Sequence, residues 1–456
     1  MDEREITTSV DMKSIKSLCE EYKKYNYIPP ELYERFDIKR GLRNQDGTGV
    51  IAGLTHICNV HGYVLNEGEK DPIDGQLIYR GININDIVEN CVAEQRFGFE
   101  EVVYLLIFGT LPNQKQLERF SELMSESREL PQYFFDDMVL KAPSKNVMNK
   151  LARSVLALYS YDDEAENASL EHEMRKSLQL IARLPNIMVK AYQVKVSHYD
   201  GGSMILHPLL PGQSTAETIL SLLRPNRQFT REEALLLDIC MMLQAEHGGG
   251  NNSTFACRVL TSSGTDAYSA YAGAIGSLKG HRHGGANINA SKMLGYMKAG
   301  IHNWEDEDEV ARFLKRIMLK KEGDGTGLIY GMGHAVYTKS DPRALILRQN
   351  AMKLAQGTEF EAEFKLLNLV EKLTPLVFAE LKGDTKTMCA NVDLYSGLVY
   401  RMLGIPEDLF TPLFACSRMA GWSAHRIEEM YNNNRIIRPA YKAIAKHRKY
   451  IPISER

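Results

Sequence analysis

The amino-acid sequence predicts an all-α protein with a minor β contribution near its N-terminus. Helix-capping signals precede several stretches in which apolar residues recur at helical spacing. Only QLIYRGI, around Leu77, looks like a strand, in a region where a short hairpin is expected. At 456 residues, the chain is long enough for one large domain and a smaller one.

The clearest helix is expected from Thr230 to Gly248. Thr230 and Glu233 have the spacing of a capping box, and the apolar run LLLDICMML follows them. Three successive glycines are expected to end the helix. This interpretation places His247 at the C-terminal end of the helix.

Two further helices follow along the chain. Acidic residues at 305–309 precede an apolar stripe with Lys and Arg at its far end, and Gly323 is expected to end this helix. Asp341 and Pro342 have the pattern of an N-cap and a first helical residue, and Gly357 closes the second helix. Further amphipathic stretches cover 97–108, 113–124, 359–381, 395–403 and 409–430.

Composition and charge exclude several classes of protein. Hydrophobic residues make up 44% and charged residues 25% of the chain, and no segment is apolar for long enough to span a bilayer. The formal charge of -3, with basic and acidic residues interspersed, argues against nucleic acid as a partner. The seven cysteines form no C-x-x-C pair, so neither a disulfide scaffold nor a zinc ribbon is indicated. The acidic, polar start, MDEREITTSV, favours a cytoplasmic protein without a secretory signal and without a membrane partner.

Four polar segments in the second half carry the candidate chemistry. They are AEHGGGNNSTF with His247, GHRHGGAN with His283, GMGHAVYTKSDPRA with His334 and Arg343, and NVDLYSG with Asp393. Three histidines and an aspartate beside glycines can remove a proton next to a carbonyl and stabilise the resulting oxyanion. The segments therefore predict a site that acts on a carbon acid.

Arginines complete this candidate site. Arg343, Arg418 and Arg438 lie in apolar or helical surroundings, and planar guanidinium groups commonly bind small carboxylates. A dicarboxylate substrate would need at least two of them. Asp393 has a second interpretation on sequence alone, as the N-cap of the helix that contains LYSGLVYRML.

Two of the polar segments allow other interpretations. His281 and His283, in H-R-H, are candidate zinc ligands, but the segment offers no third Cys, Asp or Glu, so no metal is predicted. The glycines of GDGTGLIYGMGH suggest a nucleotide-binding loop, yet no strand precedes them and neither a G-x-G-x-x-G nor a Walker pattern is formed. A ligand with a phosphate or an adenine can still contact exposed backbone in this stretch, which includes Gly331 and Gly333.

Taken together, these segments resemble those of the si-type citrate synthase family, which includes the 2-methylcitrate synthases. The resemblance extends from GVIAGLTHICNV and DGQLIYRGINI through FEEVVYLLIFGTLP to CSRMAGWSAHR and RIIRP, and so covers nearly the whole chain. The family has a mainly helical, two-domain architecture. The resemblance therefore implies a large domain formed by 1–285 and 400–456 and a small domain at 286–399.

The resemblance implies roles for the catalytic residues. Asp393 would remove a proton from the acetyl methyl group of acetyl-CoA while His283 stabilises the enolate. His334 would hydrogen-bond the ketone of oxaloacetate as the carbon–carbon bond forms, and the citryl thioester would then be hydrolysed. Ser253 and Asn251 would orient the catalytic imidazole.

The resemblance also implies how the substrates are held. His247, Arg343 and Arg418 would bind oxaloacetate. Arg438 would be donated by the other subunit of a homodimer, which could assemble further. The candidate contacts with CoA are Gly331, Gly333 and Arg282.

Two positions depart from the family pattern. His281-Arg282 stands where many members have Pro-Leu, and Ala335 stands where many bacterial members have Arg. Neither position belongs to the catalytic set, so we expect altered packing or altered CoA contacts without loss of chemistry. A solvated side chain is the simpler interpretation of Arg282.

The sequence thus predicts a citrate synthase that converts acetyl-CoA, oxaloacetate and water to citrate and CoA without a cofactor. The main alternative is a 2-methylcitrate synthase acting on propionyl-CoA, because one methylene changes discrimination by only about 1 to 3 kcal/mol. Alternatives from other classes are a metal-dependent hydrolase built on His281 and His283 and a non-catalytic acyl-CoA-binding protein.

Overall fold

The computed structural model describes residues 12–44, 46–66, 69–383, 388–432 and 435–456. The chain divides into two compact units, Met1–Leu54 and Thr55–Arg456. The described part of the first unit contains helix α1 (Met12–Tyr25), helix α2 (Glu31–Arg35) and a short 3-10 turn at Arg40–Leu42. Every candidate site residue lies in the second unit.

The second unit is built mainly from helices, which confirms the all-α prediction. In chain order these are α3 (Ile84–Ala93), α4 (Phe99–Phe108), α5 (Gln114–Glu126), α6 (Val147–Ala157), α7 (Leu170–Tyr199), α8 (Thr215–Leu223), α9 (Arg231–Gln244), α10 (Asn252–Ser262), α11 (Ala267–Lys279), α12 (Ala286–Gly300), α13 (Glu307–Met318), α14 (Pro342–Ala355), α15 (Phe360–Lys382), α16 (Val392–Met402) and α17 (Phe410–Asn432). Shorter helical turns lie at Phe135–Leu140, Leu158–Tyr161, Glu407–Leu409 and Ile453–Glu455. Within the described ranges, no helix is both long and apolar enough to cross a bilayer.

An antiparallel sheet opens the second unit and confirms the expected β contribution. Its strands are β1 (Cys58–Asn66), β2 (Glu69–Tyr79) and β3 (Ile82–Asn83), in the order β1-β2-β3. The predicted strand supplies the end of β2 and leads into β3, and β1 pairs antiparallel with β2 as in the expected hairpin, although no range was predicted for β1. In the structure Gly62 allows a close approach, since a Cβ there would lie 2.7 Å from the carbonyl oxygen of Val336.

The N-terminus of α9 follows its sequence signal, but the C-terminus does not. The predicted capping box is present: Thr230 Oγ1 accepts from the Glu233 N–H at 3.2 Å, and Glu233 Oε2 accepts from the Thr230 N–H at 2.7 Å. The helix ends at Gln244, before the expected Gly248. His247 therefore lies in the non-helical segment after α9 and not in the helix.

The next two predicted helices show the same contrast. Helix α14 begins as predicted, because the carboxylate of Asp341 accepts from the Arg343 N–H at 3.0 Å. Helix α13 ends at Met318 and not at Gly323. The chain leaves this helix at Lys320, which takes a left-handed backbone with φ 60 without needing a glycine.

Helix α17 runs through the core of the second unit. Almost all of its side chains between Phe410 and Arg426 are buried, and it packs against α4, α7, α9, α10 and α11. A helix surrounded in this way holds its polar residues in dry surroundings. Two of these, Arg418 and His425, are both 0% exposed. The division into a large and a small domain stays a prediction.

Candidate active site

The candidate catalytic residues lie in segments between helices or in the first turn of a helix. His247 follows α9, His283 lies between α11 and α12, His334 precedes α14, and Asp393 is in the first turn of α16. The ring of His334 lies beside that of His247 and near the guanidinium of Arg343, so these three side chains share one site.

His247, His334 and Tyr337 form an aromatic cluster. The ring centroids of His247 and His334 are 5.1 Å apart with the rings nearly perpendicular, and Tyr337 stacks on His334 at 4.6 Å. Burial lowers the pKa of His247 well below its ordinary value, and the charges of Arg343 and His334 add to this effect. The imidazole of His247 is therefore neutral at pH 7, and its buried Nε2 has no hydrogen-bond partner among the described residues.

Hydrogen bonds determine the tautomer of His334. Its Nδ1 accepts from the backbone N–H groups of Val336 at 3.0 Å and Tyr337 at 3.1 Å, so the ring proton is on Nε2. This Nε2 lies 3.5 Å from Nη2 of Arg343. Both groups are donors and cannot bond to each other. They converge on a position that suits a carbonyl or carboxylate oxygen.

Asp341 holds the guanidinium of Arg343. Its Oδ1 accepts from Nε at 3.0 Å and its Oδ2 accepts from Nη2 at 2.7 Å. Both side chains are buried, so this bidentate pair is protected from water. The sequence indicates Asp341 only as the N-cap of α14. Its second contact depends on the direction of a long side chain that no local pattern reveals.

Arg418 is buried in the middle of α17. Its Nε donates to the carbonyl oxygen of Gln244 at 2.8 Å, and its guanidinium lies over the ring of Phe414 at 4.8 Å. In the part of the chain that the structure describes, the buried Nη1 and Nη2 have no hydrogen-bond partner. A buried guanidinium left in this condition is costly, and a bound carboxylate would remove that cost.

Two side chains contact the imidazole of His283, and a third contacts one of these two. Its Nε2 lies 3.0 Å from Asn251 Oδ1 and 3.0 Å from Ser253 Oγ. The hydroxyl of Ser253 also accepts from Nε1 of Trp422 at 3.2 Å. The start of α10 and the middle of α17 thus orient this ring together, as expected for Asn251 and Ser253. Nothing in the sequence indicates Trp422.

His283 is a neutral imidazole at pH 7. Burial, with a smaller contribution from Arg418, lowers its pKa to about 4. Its neighbour His281 is exposed. Across the described ranges, no group of three or more His, Cys, Asp or Glu side chains is placed to hold a metal ion.

Two helix starts near the site differ from the sequence interpretation. The sequence GHRHGGAN predicts a helix capped near Asn287 or Asn289, but Gly285 is the N-cap of α12 and both asparagines lie inside the helix. Asn391 is the N-cap of α16, and its side chain accepts from the Asp393 N–H at 2.9 Å. The interpretation of Asp393 as an N-cap is therefore wrong.

The carboxyl group of Asp393 has a shifted pKa. Burial raises the pKa to about 6, although Arg343 and Arg418 lower it, and Asp341 adds to the increase. Such a carboxyl group is mostly ionised at pH 7 and is a stronger base than an exposed aspartate. These are the properties that a general base for a carbon acid requires.

Gly331 and Gly333 bring the loop before His334 against the start of α16. Gly331 has a left-handed φ of 81, and a Cβ there would lie 2.6 Å from Cα of Leu394. Asn391 ties the two segments together: its backbone N–H donates to the carbonyl oxygen of Gly331 and its Nδ2 donates to that of Gly333, both at 2.8 Å. This close approach places the His334 loop beside the turn that carries the candidate base.

A cavity of about 330 Å³ lies beside this loop. Met332 of the loop, Met318 and Phe378 contribute to its apolar lining, and Lys320 and Lys382 also line it. An apolar cavity with nearby lysines suits a ligand that has both apolar and anionic parts.

Two candidate residues are not brought into the cluster. Arg438 is exposed in the segment after α17, and none of the described contacts joins it to the other site residues. Arg282 is exposed in the turn before His283. Their roles therefore stay predictions that depend on a second subunit and on CoA, respectively.

The family of the chain follows from comparison with known proteins. Residues 44–440 match the family model described as citrate synthase, C-terminal domain. The chain belongs to the citrate synthase family. Citrate synthase 2 of Bacillus subtilis is 34% identical over 84% of this chain and 94% of its own length. The 2-methylcitrate synthase of Shewanella oneidensis is 33% identical over 83% of this chain and 92% of its own length.

Solved citrate synthases share the fold of this chain. The enzyme from Thermotoga maritima superposes with a TM-score of 0.71 at 29% identity, over 92% of this chain and 99% of its own. The enzyme from Thermoplasma acidophilum, solved with carboxymethyl coenzyme A and oxaloacetate, gives 0.72 at 26% identity over the same shares. The chain is thus an enzyme of this family, which argues against a non-catalytic acyl-CoA-binding protein.

Proposed function

We propose that this citrate synthase family member condenses acetyl-CoA with oxaloacetate and hydrolyses the resulting thioester to citrate and CoA. The observation that carries the proposal is the buried Arg418. Within the described residues, its terminal nitrogens and His247 Nε2 have no hydrogen-bond partner, and the turn that carries Asp393 is bonded to the loop before His334. A dianionic ketoacid would supply acceptors for these donors, and a base beside it would serve a carbon acid.

Oxaloacetate would occupy the position on which these donors converge. Arg418 and Arg343 would bind its carboxylates, and His247 would donate from Nε2. The Nε2–H of His334 would donate to the ketone oxygen, which the bonds to its Nδ1 support. The ketone carbon would thereby become more electrophilic.

The thioester would be enolised between Asp393 and His283. The carboxylate takes a proton from the acetyl methyl group, and the electron pair of that C–H bond moves toward the thioester oxygen. In this role the imidazole of His283 would donate from Nδ1 to the thioester oxygen, while Asn251 and Ser253 hold the ring on its Nε2 side. Such a donor is typically worth roughly 3 to 4 kcal/mol.

Condensation and hydrolysis complete the reaction. The enolate carbon attacks the ketone carbon of oxaloacetate, and the alkoxide that forms takes the Nε2 proton of His334 to become a hydroxyl; the proton held by Asp393 is then released to solvent and His334 regains one. Water then adds to the thioester carbonyl, the carbon–sulfur bond breaks, and CoA leaves. Closure of the predicted small domain, 286–399, over 1–285 would keep water away until the carbon–carbon bond has formed.

The remaining proposals concern CoA and assembly. The cavity beside Gly331 and Gly333, with its lysines, would take part of CoA, and Arg282 would meet a phosphate of CoA. Arg438 would enter the site from the partner in a homodimer. We propose a cytoplasmic enzyme that needs no cofactor.

The test measures free CoA released from acetyl-CoA and from propionyl-CoA, each with and without oxaloacetate. We expect release to depend on oxaloacetate and kcat/KM to favour acetyl-CoA. A folded protein without oxaloacetate-dependent release from either thioester would refute the proposal. A kcat/KM that favours propionyl-CoA would establish 2-methylcitrate synthase, the second candidate, because relatives of both names match at similar identity.

A metal-dependent hydrolase would behave differently in the same assay. It would release CoA without oxaloacetate, and removal of stoichiometric bound zinc would abolish the activity. The contacts of His283 disfavour this alternative, because its Nε2 already lies within bonding distance of Asn251 and Ser253.

A further inference from the structure

The segment that carries His247 is held by side chains because it has no regular structure. It begins where α9 ends at Gln244, and Gly248 has a left-handed φ of 89. The hydroxyl of Tyr79 donates to the carbonyl oxygen of Glu246 at 3.0 Å. The side chain of Glu246 turns back on the segment, and its Oε1 accepts from the Gly248 N–H at 2.5 Å. The position of His247 therefore depends on contacts from outside the segment.

The carboxylate of Glu246 is ionised although it is 0% exposed. Its Oε1 also accepts from Nε2 of His425 at 3.0 Å. Burial raises the pKa of Glu246, but His425, Arg418 and the Gly248 N–H together outweigh burial and hold the pKa below its ordinary value. Charge-assisted bonds of this kind are stronger than bonds between neutral groups.

His425 is fixed from its other side by Arg258. Nε and Nη2 of Arg258 lie 3.0 Å and 2.7 Å from Nδ1 of His425. Arginine nitrogens only donate, so Nδ1 is the acceptor and the ring proton of His425 is on Nε2, toward Glu246. Nη1 of Arg258 donates to Glu429 at 2.5 Å, which anchors the far end of this chain of bonds.

These bonds connect three elements that form the site. Glu246 precedes His247, Arg258 belongs to α10, whose start orients the catalytic imidazole, and His425 belongs to α17, which carries Arg418. Buried hydrogen bonds hold the elements they connect in one arrangement, and here Glu246 makes them through Oε1, since its Oε2 has no partner among the described residues.

We propose that Glu246 and His425 are positioning residues for ketoacid binding. The carboxylate of Glu246, held by the Nε2–H of His425, fixes the backbone at Gly248 and so places His247 relative to Arg418. The inference rests on the proposed function, because the ketoacid is the ligand that His247 and Arg418 would share. Both positioning residues act through other groups, so their loss weakens ketoacid binding more than it weakens acyl-CoA binding.

Steady-state kinetics of three variants test this role. Glu246→Ala removes the acceptor and should raise the KM for oxaloacetate about tenfold or more, with the KM for acetyl-CoA changed less than about threefold. Glu246→Gln keeps an oxygen at the same place and should give an intermediate KM for oxaloacetate. His425→Ala removes the donor from the other side and should show the same selective rise. If Glu246→Ala does not fold, His425→Ala carries the test, with titration of oxaloacetate alone as the readout.

Glu173→Ala is the matched control for the loss of a buried carboxylate. Glu173 is equally buried and pairs with Lys176 and Arg426, each at 2.7 Å, away from the candidate site residues. The Tm of Glu173→Ala should be lower than that of the wild type, while its KM for oxaloacetate should stay near the wild-type value. The positioning role is overturned if the KM for oxaloacetate in Glu246→Ala and His425→Ala is no higher than in Glu173→Ala. Equal impairment of Glu246→Gln and Glu246→Ala also overturns it, because bond geometry is then not the cause.

Wild-type activity separates the two possible failures. If the wild type releases CoA with oxaloacetate but the variants show no selective change, only the positioning role is wrong. If the wild type shows no oxaloacetate-dependent release and binds no oxaloacetate, the proposed function and the positioning role both fail.

Discussion

The ionisation of Asp393 should set the pH dependence of the reaction. Burial raises its pKa to about 6, and Arg343 opposes part of this increase. His283 and His247 do not titrate in the same range, because burial lowers the pKa of His283 to about 4 and that of His247 well below its ordinary value. The base acts only when it is ionised, so activity should rise as the pH rises through about 6.

The size of this effect follows from the same pKa. A carboxyl group with a pKa of about 6 is about 99% ionised at pH 8 and about 10% ionised at pH 5, so the rate constant should fall about tenfold over that interval. The assay measures initial CoA release with both substrates well below their KM, because the rate then reports ionisation of the free enzyme. Enzyme held at each pH and assayed at pH 8 controls for irreversible loss of fold.

Two results would refute this reasoning. An acid limb centred below pH 5 would indicate a carboxylate in water and not a buried one. A limb centred above pH 7 would indicate that a histidine controls the rate. Asp393→Glu keeps a carboxylate and provides a useful comparison, since any limb due to another group should be unchanged in it.

Further predictions follow from individual contacts. Asp393→Asn should lower kcat by about 10² to 10⁴ while the helical circular dichroism stays unchanged. Because the pKa of Asp393 is raised in the folded protein, its ionisation costs stability above about pH 6. The variant should therefore have a higher Tm than the wild type at pH 8 but not at pH 4. Arg418→Lys should raise the KM for oxaloacetate about 100-fold, because a lysine cannot offer two terminal nitrogens to a carboxylate. An unchanged KM would remove Arg418 from the ketoacid site. Ser253→Ala should lower kcat about tenfold by loosening His283, with little change in the KM for oxaloacetate, whereas a selective change in that KM would contradict the orienting role. If Arg438 acts across a dimer, mixing Arg438→Ala chains with Asp393→Asn chains should restore up to about one quarter of wild-type activity. Half of the dimers then contain both chains, and one site in each of these has an intact Asp393 and an intact Arg438. No recovery would place Arg438 within its own subunit.

Local signals in the sequence predicted the starts of α9 and α14, but not those of α12 and α16. The capping box of α9 and the cap of α14 depend on residues within one turn, so they are readable without the fold. The C-terminal ends were less predictable, because Lys320 reverses the chain where a glycine was expected. The hairpin was expected but the range of β1 was not, and the close approach of Gly62 to Val336 is visible only in the fold.

The supports of the site could not be predicted, because they join segments that are far apart in sequence. Trp422 reaches Ser253 from α17, and His425 reaches Glu246 from the same helix. Each looks like an ordinary residue of a buried helix. The candidate catalytic residues are recognisable by their chemistry, whereas the residues that hold them are recognisable only by their contacts.

The central claim is that one cleft forms a carbon–carbon bond from a thioester and a ketoacid. The most direct measurement follows acetyl-CoA labelled with ¹³C at the methyl carbon by NMR, in the presence of oxaloacetate and the enzyme. We expect the labelled carbon to appear as a methylene group of citrate, at a rate that falls in parallel with kcat in Asp393→Asn. Recovery of the label as acetate, or as unreacted thioester with folded wild-type enzyme, would contradict the claim.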